Sequence, residues 1–336
     1  MTERVTYLTS LRDALGSALA TNEKVMVLGE DLLDPYGGAF KVTQGLSTKY
    51  PGRVLNTPIC ESSIVGVATG LAIRGYSPVA EIMFGDFLAL AADQILNSAT
   101  KFGLMYKRTV TVPLVIRTPM GGMRGYGPTH SQSIEKMFFG MPGIKVVSPS
   151  LIHDPGALLL HSILNETVPV LFIEYKHLYG KSLVFSGKGL RVYASEESST
   201  YPAMIADNFE TGNPDMVLLG YGGMSSEILS LMQEMEQDEI WVRAVFPSLI
   251  SARLERSFIE RYILPGDQII IAEMGTERFN WGSEMAAEIY EVGREMVQKP
   301  IIRLASSDDV VPSGKELEDK VILGVERIRE SILGAL

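Results

Sequence analysis

Residues 56–75 read NTPICESSIVGVATGLAIRG, and within them an extended run gives way to a helix of small residues with a lone carboxylate, Glu61, at the join. Val54 and Leu55 begin an extended segment that continues to Ile59, because Pro58 disfavours helical backbone at Thr57. After Glu61 the apolar positions Ile64, Val65, Ala68, Leu71 and Ala72 recur at helical spacing. Gly66 and Gly70 lie four apart and share one helix face, which predicts close approach by a neighbouring backbone. At such a join Glu61 either complements the helix macrodipole, worth a few tenths to about 1 kcal/mol, or serves as a functional carboxylate. That stretch alone leaves both open.

Working outward, strands and helices alternate. On the amino side a helical stripe at Leu8, Leu11, Leu15 and Leu19 precedes an apolar run at residues 25–29. A glycine-rich loop follows at residues 35–40. On the carboxyl side, strands are expected at residues 78–84, 112–117, 144–147 and 168–174, with helices at 86–101 and 154–164. After residue 214 the rhythm resumes, with strands at 216–221, 241–246, 268–273 and 300–304 and helices at 225–237, 252–262, 283–294 and 315–332. Alternation of this kind predicts an α/β fold with mostly parallel sheets covered on both faces. The stretch between is polar and broken by Gly, Pro and Ser, which predicts a first domain at residues 1–180, a linker at 181–214 and a smaller second domain at 215–336. A length of 336 residues suits two such cores.

Composition narrows the classes. With 46% apolar and 21% charged residues, and no apolar run near the roughly 20 residues that span a bilayer, a globular protein outside the membrane is expected. Thirty basic against forty acidic residues give a net charge of −10, which opposes nucleic-acid binding through phosphate contacts. The single cysteine, Cys60, excludes an internal disulfide framework and a cysteine-based metal site. A cytoplasmic location follows from that cysteine usage as the default, and the first residues, unlike a cleavable signal, read as the first helix of the fold. Four histidines without HExxH spacing point away from zinc and towards a hard ion if any metal is used.

Two more places invite chemistry. Residues 120–132, MGGMRGYGPTHSQ, follow a strand ending at Arg117, and ligands in open α/β sheets bind beyond the carboxyl ends of strands. Four glycines there permit tight turns, and His130 stands near the end of that loop. Phe84 and Phe87 bracket Asp86 at another strand end, where aromatic residues also serve as ordinary packing.

Taken together, LGEDLLDPYGGAF (28–40), RVLNTPICESSIVGVATGLAIRG (53–75), FGDFLALAADQILNSATK (84–101), GPTHSQS (127–133), PGIKVVSPS (142–150) and EYKHLYG (174–180) resemble the β subunit of the thiamine diphosphate-dependent 2-oxo acid dehydrogenases. The resemblance runs essentially end to end, with NWGSEMAAEI (280–289) and KELEDKVI (315–322) in the second half. It implies two doubly wound domains, a transketolase-type pyrimidine-binding domain followed by a smaller transketolase C-terminal-type domain. In that family a glutamate grips the aminopyrimidine ring of the cofactor and helps activate its thiazolium carbon; Glu61 occupies that position. By the same resemblance Phe87 packs against the aminopyrimidine, and His130 lines the cavity from which the acyl group leaves. Ser63 stands where the family often has glycine, Cys60 where it often has serine, and residues 182–215 are hard to align.

The superfamily's GDG segment for diphosphate and magnesium does not occur in this sequence. The resemblance therefore implies an α subunit supplying the diphosphate and magnesium site, in a heterotetramer of two α and two β chains, with a lipoyl acyltransferase component as acceptor. Some relatives hold potassium in the first domain, and the region of Leu114, Ser162, Ile163 and Asn165 is similar, which leaves potassium open as a further ion. Two alternatives remain: a two-component transketolase-like or acyloin-forming transferase using the same cofactor, and a noncatalytic scaffold subunit.

Overall fold

A computed structural model describes residues 5–107, 109–185, 187, 189–195 and 200–336. The chain divides into two compact units, one of Met1–Met120, Phe138–Val147 and Asp154–Leu183, the other of Gly121–Met137, Ser148–His153 and Val184–Leu336.

In the first unit, helix α1 (Tyr7–Thr21) leads to β1 (Val25–Gly29), the short α2 (Leu46–Lys49), β2 (Val54–Asn56), α3 (Glu61–Ile73) and β3 (Ser77–Glu81). A 3-10 turn at Gly85–Phe87, α4 (Leu88–Asp93) and a π-helical turn at Gln94–Ala99 then precede α5 (Phe102–Met105) and β4 (Val115–Met120). β5 (Lys145–Val147), α6 (Pro155–Leu164) and β6 (Val170–Tyr175) complete it. The six strands form one parallel sheet in the order β2-β1-β3-β4-β6-β5. β4 and β6 are buried at every position, as strands covered on both faces must be. Helix α1 starts from a capping box between Thr6 and Thr9 and buries Leu11, Leu15 and Leu19.

The second unit holds β7 (Arg191–Ala194), β8 (Ala203–Asp207), β9 (Met216–Gly220), α7 (Ser225–Gln237), β10 (Val242–Pro247) and α8 (Arg256–Tyr262). It ends with β11 (Gln268–Thr276), α9 (Trp281–Gly293), β12 (Ile302–Ser306), α10 (Lys315–Val321) and α11 (Val325–Leu333). Its sheet runs β12-β11-β9-β10-β8-β7; the first four strands are parallel, and β8 is antiparallel to both of its neighbours.

The structure corrects three expectations. Residues 181–214, expected as a linker, carry β7 and β8, which extend the second sheet at its edge. β7 is half exposed, with no buried position, so it lacks the apolar continuity that marks a central strand. Residues 186, 188 and 196–199 of that stretch lie outside the described residues. The helix expected over residues 86–101 is a succession of 3-10, α and π turns. Gly85 at its start sits so close to Met120 that an added Cβ would lie 2.8 Å from that side chain. Finally, the helix expected over 315–332 is two helices, parted where Leu323 is fully buried and its N–H donates to Ser306 Oγ at 3.0 Å, with Gly324 capping the second.

Candidate active site

The order β2-β1-β3 sets three strand ends side by side, and the expected functional residues of the first unit follow those ends. Beyond β2, the Thr57 N–H donates to Gly29 O at 2.9 Å and prolongs the parallel ladder by one step. The chain bends at Ile59, reaches the N-cap Cys60 with φ −165° and ψ 88°, and turns helical at Glu61. Glu61 is therefore the first residue of α3, buried to 5% exposure, and among the described residues no hydrogen bond reaches its carboxylate. A carboxylate placed there benefits from the positive end of the helix, yet its burial exceeds what a solvated helix cap needs.

A second carboxyl, unassigned by the sequence, lies with it. Glu30 directly follows β1, is buried to 5% exposure, and its Oε1 has no hydrogen-bond partner among the described residues. Burial, then the charge of Glu61, and then Asp31 and Glu81 raise its pKa to about 7. A Glu30 carboxyl raised in this way is partly protonated near neutral pH. Within LGED the residue reads as an acidic turn after a strand; only the juxtaposition of β1 and β2 shows it to be buried.

Glu81, at the end of β3, is neutralised differently. Arg117 of β4, its register partner, donates to it, and also donates through Nε and Nη2 to Glu174 Oε1 and Oε2 at 2.8 and 2.5 Å. The Tyr179 hydroxyl donates to the same Glu174 at 2.7 Å. Removal of Arg117 would leave two buried carboxylates facing each other, the costly case for an interior charge.

Phe87 closes the 3-10 turn after β3, half buried, its ring edge-on to Phe84 with centroids 5.8 Å apart. Phe84 in turn meets Phe40 of the glycine-rich loop at 5.5 Å. Residues 28–40, 56–61 and 84–87 are thus contributed from adjacent strand ends at the carboxyl edge of the sheet, where ligands of open α/β sheets bind.

His130 belongs to the second unit. It is half buried, its N–H donates to Gly127 O at 3.2 Å, and its Nδ1 lies 2.8 Å from Thr129 Oγ1. Gly121, Gly125 and Gly127 have positive φ, as does Met123, so the loop turns where glycine permits it. Gly122 has a different reason to be glycine: an added Cβ would lie 2.0 Å from Ile322 Cδ1. The Gly125 N–H donates to Glu318 of α10 at 2.8 Å, which ties the loop down.

The second unit also contains a buried carboxyl that the sequence did not reveal. Glu273 of β11 is 2% exposed and accepts from the Gly282 N–H at the start of α9 at 2.7 Å. Burial raises its pKa to about 8, opposed by that N–H and reinforced by the charge of Glu135. Glu135 itself accepts from the Tyr221 hydroxyl at 2.5 Å.

Comparisons with known proteins agree with this architecture. Residues 3–181 match the family model described as transketolase, pyrimidine binding domain. The chain is 32% identical over 329 residues to the pyruvate dehydrogenase E1 component subunit beta-1, mitochondrial, of Oryza sativa subsp. japonica, covering 95% of this chain and 84% of that one. It is 30% identical over 333 residues to the 3-methyl-2-oxobutanoate dehydrogenase subunit beta of Mycobacterium tuberculosis, covering 99% and 92%. Among solved structures, a split gene transketolase described as an inactive beta4 tetramer is similar with TM-score 0.71 at 20% identity, covering 97% of each chain. The transketolase of Campylobacter jejuni is similar with TM-score 0.68 at 15% identity, covering 99% of this chain and 47% of that one. These two likenesses concern the fold.

Proposed function

The chain belongs to the transketolase pyrimidine-binding family and, within it, to the β subunits of 2-oxo acid dehydrogenases, and from that membership we propose that it works with an α subunit and thiamine diphosphate to decarboxylate a 2-oxo acid and pass the acyl group to a lipoyl acceptor. The observation that carries the site assignment is Glu61, a buried carboxylate at the start of α3 with no hydrogen-bond partner among the described residues. The neighbouring Oε1 of Glu30 is likewise without a partner. An aminopyrimidine, whose amino group donates and whose ring nitrogen donates once protonated, fits acceptors left open in this way.

When bound, the cofactor accepts the electron pair released as carbon dioxide leaves. Glu61 holds a ring nitrogen by a charge-assisted hydrogen bond and moves a proton to or from it. Glu30, near its own titration midpoint at neutral pH, keeps that carboxylate's surroundings from accumulating a second full negative charge. Phe87, on a turn braced by Phe84 and Phe40, packs against the ring and keeps water from it. His130 serves the later step, in which the acyl group moves to the lipoyl disulfide and a leaving sulfur takes a proton. The α subunit, in a heterotetramer of two α and two β chains, supplies the diphosphate and magnesium contacts; potassium near Leu114 and Asn165 is an additional assignment, and a cytoplasmic location completes the proposal.

One experiment tests both residues, with the chain reconstituted with its α partner. Glu61→Gln is nearly isosteric but cannot exchange a proton as a carboxylate does, so decarboxylation falls roughly 10²- to 10⁴-fold while assembly and melting temperature are kept. Exchange of the thiazolium proton at the wild-type rate in that variant would return Glu61 to a helix-capping role. His130→Ala lowers lipoyl acylation strongly and decarboxylation with an artificial oxidant much less, because that assay bypasses the acceptor. Equal losses would assign His130 to substrate binding or loop order instead. An assembly that acylates no lipoyl domain but joins its intermediate to an aldehyde would move the whole proposal to the two-component transferase.

A further inference from the structure

Within the second unit, the amino end of β10 gathers charge that the function above does not use. Asp207 closes β8 and is the register partner of both Arg243 on β10 and Arg191 on β7. Its carboxylate is fully buried. Arg243 grips it with Nε at 2.9 Å and Nη2 at 3.2 Å, Arg191 reaches it with Nη2 at 2.6 Å, and the Tyr193 hydroxyl donates to it at 3.0 Å. A third arginine, Arg261 of α8, lines the same recess.

The balance is the informative part. Arg243 and Tyr193 are enough to satisfy one buried carboxylate. Arg191 and Arg243 repel one another there, and although the Asp267 carboxylate also offsets Arg243, Arg261 adds a third positive charge to the walls of the recess, on a chain of net charge −10. Arg191 Nε and Nη1 and Arg243 Nη1 make no hydrogen bond among the described residues. Asp207 thus acts as an anchor that fixes two planar forks and leaves donors over, the arrangement that suits a phosphate oxygen set.

We propose that this recess binds the phosphate of a small organic phosphate. Its volume is about 470 Å³, and an adjoining recess of about 770 Å³ shares Arg191 and is lined by Trp241 and Phe209 together with Glu210 and Glu236, whose charges keep the phosphate on the arginine side. Both fall in the usual range of roughly 300–1,000 Å³ for small-molecule sites. The phosphate lies among the arginines and a planar ring lies in the Trp241 recess. This site is at the opposite end of the second sheet from the carboxyl end of β11, where Thr276 and the loop to α9 lie. It depends on neither Glu61 nor an α subunit.

Calorimetric titration of the full chain at low ionic strength tests it, with inorganic pyrophosphate first and ADP second. Saturable uptake of one equivalent is expected below about 1 mM, weakened at least about tenfold by Arg191→Gln with melting unchanged, since Arg191 is on an edge strand with its side chain 53% exposed. Arg261→Gln is the second variant and leaves Asp207 fully paired; it is expected to weaken uptake in the same way. ADP binds more tightly than pyrophosphate and changes the Trp241 emission, and equal affinities would overturn the assignment of the ring recess. No saturable uptake, or wild-type affinity in both arginine variants, overturns the site. Loss of uptake in Glu61→Gln would place the probe in the first unit and overturn it as well.

Discussion

Glu273 keeps its proton far above the ordinary carboxyl range because the fold buries it between β11 and the start of α9. Its pKa is about 8 in the folded chain against 4.5 for the free group, so between those values the folded state binds more protons than the unfolded one. Stability therefore falls as pH rises through that window and the fall is complete above about pH 8. Each pKa unit corresponds to about 1.4 kcal/mol, so the whole effect is on the order of a few kcal/mol. Glu273→Gln keeps an acceptor for the Gly282 N–H and has nothing to titrate. Its unfolding free energy should gain on the wild type steadily from about pH 5 to pH 8; parallel pH profiles for the two proteins would contradict the assignment. Neither Glu273 nor Glu30 is visible in the sequence as a buried acid, because each closes an apolar run, where an acidic residue ordinarily reaches water, whereas β11 continues past Glu273 to Thr276. Glu61 and Phe87 stand out as site candidates in the sequence only through the pattern of motifs around them, and for Glu61 the structure adds burial and an unmet acceptor.

The tightest helix contact lies between α1 and α6. Asp154 caps α6 and also accepts from Ser10 Oγ at 2.9 Å, while the Gly156 N–H donates to that same Oγ at 2.9 Å. A Cβ on Gly156 would stand 2.4 Å from Ser10 O, a backbone atom that cannot swing aside. Gly156→Ala should thus destabilise the chain by roughly 1–3 kcal/mol in denaturant unfolding, despite alanine's better helix propensity of about 1 kcal/mol. A stabilised or unchanged variant would mean that the two helices separate freely. The sequence pointed to other glycines. Gly66 and Gly70 have the spacing of a close-packed face, yet an added Cβ on Gly66 meets only Gln94 at 3.3 Å and on Gly70 nothing within 4 Å. Spacing within one helix shows which residues share a face, whereas the partner of that face is set by strand order, which α3 does not contain. The same limit hid β7 and β8, whose pairing is with residues 10 to 44 positions away along the chain.

At the scale of the molecule, the chain passes between its two units after residues 120, 137, 147, 153 and 183. The early visits to the second unit are bonded into it: Ser148 N–H donates to Ser248 O at 2.8 Å, Leu151 N–H to Ser225 Oγ at 3.0 Å, and Glu135 accepts from Tyr221. A fragment starting at residue 184 would lose those partners, the donor to the Ser248 carbonyl and the Glu135 acceptor of the Tyr221 hydroxyl among them. It should melt well below the full chain or fail to fold, as thermal unfolding and proteolysis can show; a cooperative transition at the full-length temperature would make segments 121–137 and 148–153 dispensable. The interleaving also bears on descent. A gene crossover anywhere between codons 121 and 183 would divide both units between different parents at once, whereas one outside that window divides a single unit, so the loop that carries His130 is set by its place in the chain to travel with strands of the first unit.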